Sequence, residues 1–383
     1  MPDTNDPRLV LTLDDARLVL TLDAGGTNFV FSAVRGGKEV TEPVTLPSLG
    51  DDLTACLAQI TAGFQELHNR TGRAAVAISL AFPGPADYRN GIIGDPANLP
   101  AFRDGVALGP MLEEHFDLPV FINNDGDLFA YGEALAGLLP EINAALDENG
   151  STMRYHNLLG LTLGTGFGGG IVRDGHLFMG DNAAAGEVWA LRSKLHRDCP
   201  VEEDVSVRAL RRVYAELARL EFDHAPDAKM LAAIARHDEK GHSAAAREAF
   251  RRFGEALGDA IANAVTLVDG LVVIGGGLSA AAPLFMPAVM TELNGHLQSR
   301  EGTRIPRLET RAFNLDDDTD RRSFLAHKVR DIQVPGSTRT VPYDPLKRIG
   351  IGVSKLGANR AVSLGAYAFA LTAIGTRGTK KKS

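Results

Sequence analysis

Cysteine is nearly missing from this chain: two in 383 residues, Cys56 and Cys199. They lie far apart and form neither a C-x-x-C pair nor a disulfide framework, so the composition points to a reducing, cytoplasmic setting. Tryptophan occurs once, and aromatic residues together make up 6% of the sequence. No apolar run reaches the roughly 18 residues a membrane-spanning helix needs, and no secretory leader pattern opens the chain. A concentrated basic face is lacking as well. The formal net charge is -8, which argues against nucleic acid as the main partner, because phosphate neutralisation needs clustered Lys and Arg. An anionic substrate would have to be held by a local site rather than by the overall field.

What remains is ordinary for a soluble protein, with 44% hydrophobic and 23% charged residues and enough length for two domains with cores of their own. The chain is organised around Leu159 to Gly175, LGLTLGTGFGGGIVRDG, where an apolar run meets six glycines within eleven residues. The pattern predicts strand, turn, strand. A Cβ-free backbone can take positive φ and let several N–H groups converge on an anion, as a polyphosphate tail requires. A Gly-rich hairpin without a ligand would read the same way. A second motif of this kind lies upstream, at LVLTLDAGGTNFVFSAVRGG from Leu18. There Gly25 and Gly26 let backbone approach phosphate, Thr27 adds a hydroxyl, and Asp23 offers a carboxylate to a hydrated divalent cation.

The remaining segments are read in chain order. RLVLTLD occurs twice, at Arg8 to Asp14 and Arg17 to Asp23, and residues 1–17 are a leader or an added strand. A helix is expected over Asp51 to Arg70 and a buried strand over Ala74 to Phe82. Asn98 lies between two prolines, as a turn former or as a donor and acceptor for a polyol. PVFINN (Pro119 to Asn124) predicts a strand that ends in Asp125. A carboxylate at that end of a strand sits where α/β sheets bind ligands; Asp125 could also cap a helix, but its placement after two Asn residues favours a catalytic base. Leu138 to His156 is expected to be a loop. Glu187 follows a tight small-residue stretch, either as a functional acid or as an exposed first-turn residue. Helices are expected at Ser206 to Leu220 and Ala244 to Asp269, the latter leading into the strand and turn GLVVIGGGLS. Gly275, Gly276 and Gly277 would let a flat ring such as adenine lie against backbone, or form a plain strand-helix turn. Arg300 to Arg348 looks like an irregular surface insertion, and Lys380 to Lys382 a disordered end.

Six pieces in this order, LDAGGTN, FPGPAD…PANLP, NND with GE at Gly132-Glu133, LGTGFGGGIVRDG, AGE and VIGGGLS, resemble the sugar kinases of the ROK family. The resemblance implies an α/β, two-lobed actin-like ATPase (ribonuclease H-like) fold with an interlobe cleft. It implies an N-terminal lobe over 18–137, a larger C-terminal lobe over 138–371 with an insertion at about 315–348, and a tail over 372–383. It further implies an ATP-dependent kinase acting on a hexose or N-acetylhexosamine, with Asp125 as general base and Asn98, Asn124 and Glu187 on the sugar. Gly25, Gly26, Thr27, Asn28, Gly164, Thr165, Gly166, Gly168 and Gly275 to Gly277 would hold ATP, and Asp23 would orient Mg2+ through water. A homodimer is implied too. The family's zinc-binding element is replaced here by GEVWALRSKLHRDCPVEED, with Trp189 for a glycine, Ala190 for the histidine and Cys199 alone. Zinc needs about four N or S ligands, so none is expected. Trp189 places bulk or a stacking face where substrate choice would differ. Rival readings are a non-catalytic sugar- or nucleotide-binding relative, a sugar-sensing regulator, and a polyphosphate-using kinase. The stretch ahead of Asp23 is too short for a helix-turn-helix domain, which counts against the regulator.

Overall fold

The computed structural model describes residues 13, 15–96, 98–326 and 329–380. The chain divides into two compact units, the first from residues 1–137, 170–186 and 356–383, the second from 138–169 and 187–355. This corrects the simple division at Gly137. The C-terminal helix returns to the first unit, where its apolar face is buried, as does segment 170–186, where a Cβ on Gly170 would lie 2.6 Å from Asp127 Cα.

In the first unit, strand β1 (Leu18–Ala24) pairs antiparallel with β2 (Asn28–Arg35) and parallel with β3 (Ala75–Ala81). β3 pairs in turn with β4 (Val120–Asn123), again parallel. Alternation along β1 sends Leu18, Leu20 and Leu22 into a core with Phe29, Phe31, Ile60 and Phe64. Val19 goes to the opposite face with Ala77, Phe121 and Tyr367. With both faces covered, the strands read as apolar runs. Helix α1 (Leu53–Arg70) closes the first face. Its N-cap, Asp52, accepts the Ala55 N–H, and Cys56, Ile60, Phe64 and Leu67 form its buried stripe.

The C-terminal helix (Ala358–Lys380) covers the second face and packs along α2 (Asp125–Ala136). Its helical span corrects the expected tail over 372–380, while residues 381–383 lie outside the described residues; Leu364, Tyr367, Ala370 and Leu371 repeat at helical spacing into the core. The two helices approach at backbone contact. A Cβ on Gly132 would lie 1.9 Å from the Ala361 carbonyl oxygen, and one on Gly365 would lie 1.9 Å from that of Leu128. The first RLVLTLD copy lies outside the described residues apart from Leu13, which packs against the Val19–Tyr367 cluster.

The second unit opens with helix α3 (Leu138–Glu148), which corrects the expected loop. Leu138, Leu139, Ile142 and Leu146 form a short buried stripe, hidden in sequence by the intervening polar residues. β5 (Leu158–Leu163) follows. After the glycine turn, β6 (Phe167–Arg173) carries the chain across the boundary at Gly170. Helix α4 (Ser243–Val268) buries Phe250, Phe253, Leu257, Ile261 and Val265. It leads into β7 (Leu271–Gly275), flanked in parallel by β5 and by β9 (Arg348–Val353), with β8 (Arg311–Asn314) parallel on the far side of β9. The proposed surface insertion is therefore corrected as well. It contributes a sheet strand with Ala312 and Phe313 buried, and a helix at Asp318–Leu325 seated through Phe324. The hairpin Arg330–Gln333 with Thr340–Tyr343 is exposed throughout, as is the strand Arg304–Pro306.

Candidate active site

The first unit carries one group of backbone donors and two carboxylates, and the second unit carries a further group of backbone donors. In the first unit, β1 ends at Ala24 and the chain turns through Gly25, Gly26 and Thr27. The Gly25 N–H closes the turn on the Asn28 carbonyl at 3.0 Å. Ser48 ties down the turn's carbonyls. Its hydroxyl donates to Gly26 O at 2.6 Å, and its N–H to Thr27 O at 2.9 Å. The N–H groups of exposed Gly26 and Thr27 have no protein partner among the described residues. They are what an anion would find. Gly25 itself is therefore structural, a Cβ there falling 2.9 Å from Asn28 O. Asn98 is exposed in a turn, and its Cβ lies 3.0 Å from the position a Gly26 Cβ would take. Asn98 and the phosphate turn thus meet.

At the end of β4, Asn124 is the N-cap of α2. Its Oδ1 accepts the Gly126 N–H at 2.8 Å, and its Nδ2 donates to the Tyr88 hydroxyl at 3.3 Å. Tyr88 in turn donates to Phe82 O at 3.1 Å. The cap role weighed for Asp125 belongs to Asn124, whose side chain is spent on the helix and on Tyr88. Asp125 is the first residue of α2, half-buried, with Oδ1 accepting the Gly126 N–H at 2.9 Å. Burial pushes its carboxyl up, against the pull of those backbone N–H groups. Asp23, on the last turn-facing residues of β1, is pushed up to about 7, first by burial and then by the charge of Asp125. The charge of Asp125 thus adds to burial in holding the Asp23 carboxyl protonated.

In the second unit the turn after β5 repeats the design. The Gly164 N–H donates to Gly166 O at 3.0 Å, and the Val207 N–H to Gly164 O at 2.9 Å. The N–H groups of Thr165 and Gly166 have no protein partner among the described residues. Glu202, not singled out in the sequence, accepts the Phe167 N–H at 2.9 Å and sits 2.7 Å from where a Gly166 Cβ would be. Gly168 lies inside β6, where a Cβ would be 2.4 Å from Thr162 Oγ1, so its small size serves strand packing. Gly276 has φ +85° and lies so close to β5 that a Cβ would meet Leu163 O at 2.4 Å. With the Leu278 N–H donating to Leu163 O at 3.1 Å, the VIGGG turn is locked beside the Gly164 turn. Gly277 faces open space.

Glu187 is exposed, just ahead of the short turn Val188–Ala190, and Trp189 donates its indole N–H to Glu187 Oε2. Where the resemblance would put a metal loop, buried Asp204 accepts from the Ser193 hydroxyl and from His196 Nδ1, the latter at 2.8 Å. The N–H groups of Leu195 and His196 donate to Ser193 Oγ. Tyr88, Ser48, Glu202 and Asp204 carry no motif in sequence. Each acts through a fold-dependent contact.

The donors present fit Mg2+. The cation prefers hard oxygen, binds through one or two carboxylates, and completes its shell with water and phosphate oxygens. Asp23, held protonated to about 7 by burial and by Asp125, would be relieved by a divalent charge. Among the described residues no cluster of three or more His, Cys, Asp or Glu forms a ready-made cage, so water and phosphate would have to supply the other ligands. No helix of the described residues is long and apolar enough to cross a membrane.

The chain is similar to known proteins. The model of the ROK family matches residues 19–318. An N-acetyl-D-glucosamine kinase of Photobacterium profundum is 32% identical over 278 residues, 67% of this chain and 83% of that protein. The crystal structure of a glucokinase from Parabacteroides distasonis is 52% identical, covering 94% of this chain and 99% of that one, with a TM-score of 0.83. A ROK-family glucokinase from Streptomyces griseus, solved with glucose and AMPPNP, shares the fold at 20% identity and a TM-score of 0.58, covering 91% of this chain and 98% of that one. The fold is that of the actin-like ATPases, and the chain belongs to the ROK family of sugar kinases.

Proposed function

We propose that the protein transfers the γ-phosphoryl group of ATP to a hydroxyl of a hexose or N-acetylhexosamine. The observation that carries this reading is Asp125, a half-buried carboxylate at the start of α2, held by the Gly126 N–H and pushed up in pKa by burial. A base with a raised pKa accepts a proton more readily, and general-base help is worth roughly 10²- to 10⁴-fold. In the reaction the sugar oxygen bonds to the γ-phosphorus as the bond to the β–γ bridging oxygen breaks. The hydroxyl proton passes to Asp125 and ADP leaves. Asn98 and Glu187 would orient the sugar hydroxyls. Asn124 would act on the sugar mainly by fixing α2, since its Oδ1 is committed to the cap. The free N–H groups of Gly26, Thr27, Thr165 and Gly166 would hold phosphate oxygens. Asn28 closes the first of these turns, and Gly275 to Gly277 would border the adenosine. Bound Mg2+, oriented by Asp23, would neutralise phosphate charge.

The relatives named above support an acceptor of the glucose or N-acetylglucosamine kind. The reading includes a homodimer, and a cytoplasmic setting in which Cys56 and Cys199 stay free thiols. The test is a coupled ADP-release assay over a panel of glucose, N-acetylglucosamine and N-acetylmannosamine, with Asp125→Asn as control. Release no greater than the control with every sugar refutes the reading.

A further inference from the structure

We infer that Trp189, the chain's one tryptophan, is a positioning and contact residue for the sugar. The inference rests on the kinase reading, and specifically on Glu187 facing the acceptor. Three observations carry it. The indole Nε1–H donates to Glu187 Oε2 across a single intervening residue, so one carboxylate oxygen is committed and the other is left for ligand. The residue is 43% exposed, which is unusual for so large an apolar side chain and leaves it open to a ligand. The short turn Val188–Ala190 buries Val188 and is closed by the Ala190 and Leu191 N–H groups on Glu187 O and Val188 O, so the ring and the carboxylate share one rigid mount.

A lone exposed glutamate samples several rotamers and presents either oxygen to a polyol. A glutamate held by an indole donor presents one oxygen in one direction, with an aromatic wall beside it. That combination suits a pyranose, which offers vicinal hydroxyls at its edge and C–H groups on its face. Trp189 would therefore fix the carboxylate that reads the hydroxyls and cover one face of the ring. Selectivity would follow, because an axial hydroxyl on the covered face would meet the indole instead of water.

Because no other tryptophan contributes, intrinsic emission reports this site alone. The first measurement titrates the nucleotide-free protein with each sugar of the panel while following tryptophan emission. The second compares Trp189→Phe, which keeps an aromatic face and loses the N–H donor. We expect a saturable emission change with the sugars that are phosphorylated. In Trp189→Phe the sugar KM should rise on the order of tenfold, the cost of one charge-assisted hydrogen bond, while the KM for ATP stays within about twofold. In a double-mutant cycle, Trp189→Phe added to Glu187→Gln should cost much less than it does alone. A sugar that is phosphorylated without moving the emission overturns the inference, as does an unchanged sugar KM in Trp189→Phe. Emission that moves without phosphorylation supports the contact and refutes the kinase reading. Neither effect with any sugar overturns both.

Discussion

Replacing Asp23 by Asn should make the metal-free protein more stable above neutral pH, and the gain should disappear in acid. In the unfolded chain this carboxyl loses its proton near 3.8, whereas in the fold it keeps it until about 7. A folded-state pKa raised in this way contributes stability that is fully present below 3.8 and is lost as pH rises through about 7. At about 1.36 kcal/mol per pKa unit, the shift from 3.8 to about 7 sets a ceiling of about 4 kcal/mol. Residual solvent around a half-buried group lowers the expected figure to about 2 kcal/mol. Asn carries no charge, so the difference between variant and parent should open between about pH 4 and 7 and then hold. His68, pushed down by burial and Arg73, acts with the opposite sign in part of this window. It is common to both proteins and cancels in the difference. The assay is calorimetric melting of both proteins, free of metal and nucleotide, at about pH 5 and about pH 8, where roughly 2 kcal/mol corresponds to several degrees. Added Mg2+ should raise the parent's melting temperature at the higher pH and leave Asp23→Asn unmoved. Equal pH dependence in the two proteins would refute the argument that burial and Asp125 charge Asp23 unfavourably.

Three further outcomes are expected. Asp125→Asn should lower kcat by about 10²- to 10⁴-fold while nucleotide binding persists, and it should also flatten part of the Asp23 pH dependence by removing the opposing charge; a rate within a few-fold of the parent in the ADP-release assay would sink the base assignment. Gly132→Ala should destabilise the first unit by more than about 3 kcal/mol, because the added methyl would fall 1.9 Å from Ala361 O; denaturant unfolding that is unchanged would mean the helix crossing yields easily. Asp204→Ala should free Ser193 and His196 and speed amide exchange over residues 193–204, while chelators leave the parent's melting temperature unchanged; about one bound zinc per chain in purified protein would overturn the expectation of no zinc.

Most of the strand framework was legible because β1, β4, β5 and β7 are short apolar runs that end in glycine or in a polar pair. Alternation and punctuation together leave few other readings. The helix Leu138–Glu148 was not, because its four buried leucine and isoleucine positions are spread among Pro140, Glu141, Asn143 and Asp147, and the stripe appears only at helical spacing. The strand Arg311–Asn314 was hidden for another reason. With four residues and both ends charged or polar, it becomes a strand only by pairing with Arg348–Val353. Residue roles divided similarly. Asp23 and Asp125 were visible as carboxylates at strand ends. That Asn124 caps α2 through Oδ1 while holding Tyr88 through Nδ2 depends on a hydroxyl brought from 36 residues away.

The glycines of the first unit extend this point from the site to its support. Gly132 belongs to a sequence motif and Gly365 to none, yet each marks a backbone contact between α2 and the C-terminal helix. Gly170 is a third such mark, since a Cβ there would lie 2.6 Å from both Asp127 Cα and Gly126 O. All three therefore bear on the helix whose first residue is Asp125. A side-chain contact can repack when a neighbour changes, by a rotamer or a methylene. A backbone contact at this distance cannot, so it transmits position without slack. The general base must stay within hydrogen-bond reach of one hydroxyl, where a displacement of about 1 Å can cost 10²-fold in rate. Holding α2 against two other segments by glycine contacts supplies that tolerance. It also separates two classes of variant: Asp125→Asn should lose rate in a protein that melts normally or higher, whereas alanine at any of these glycines should lose stability and rate together.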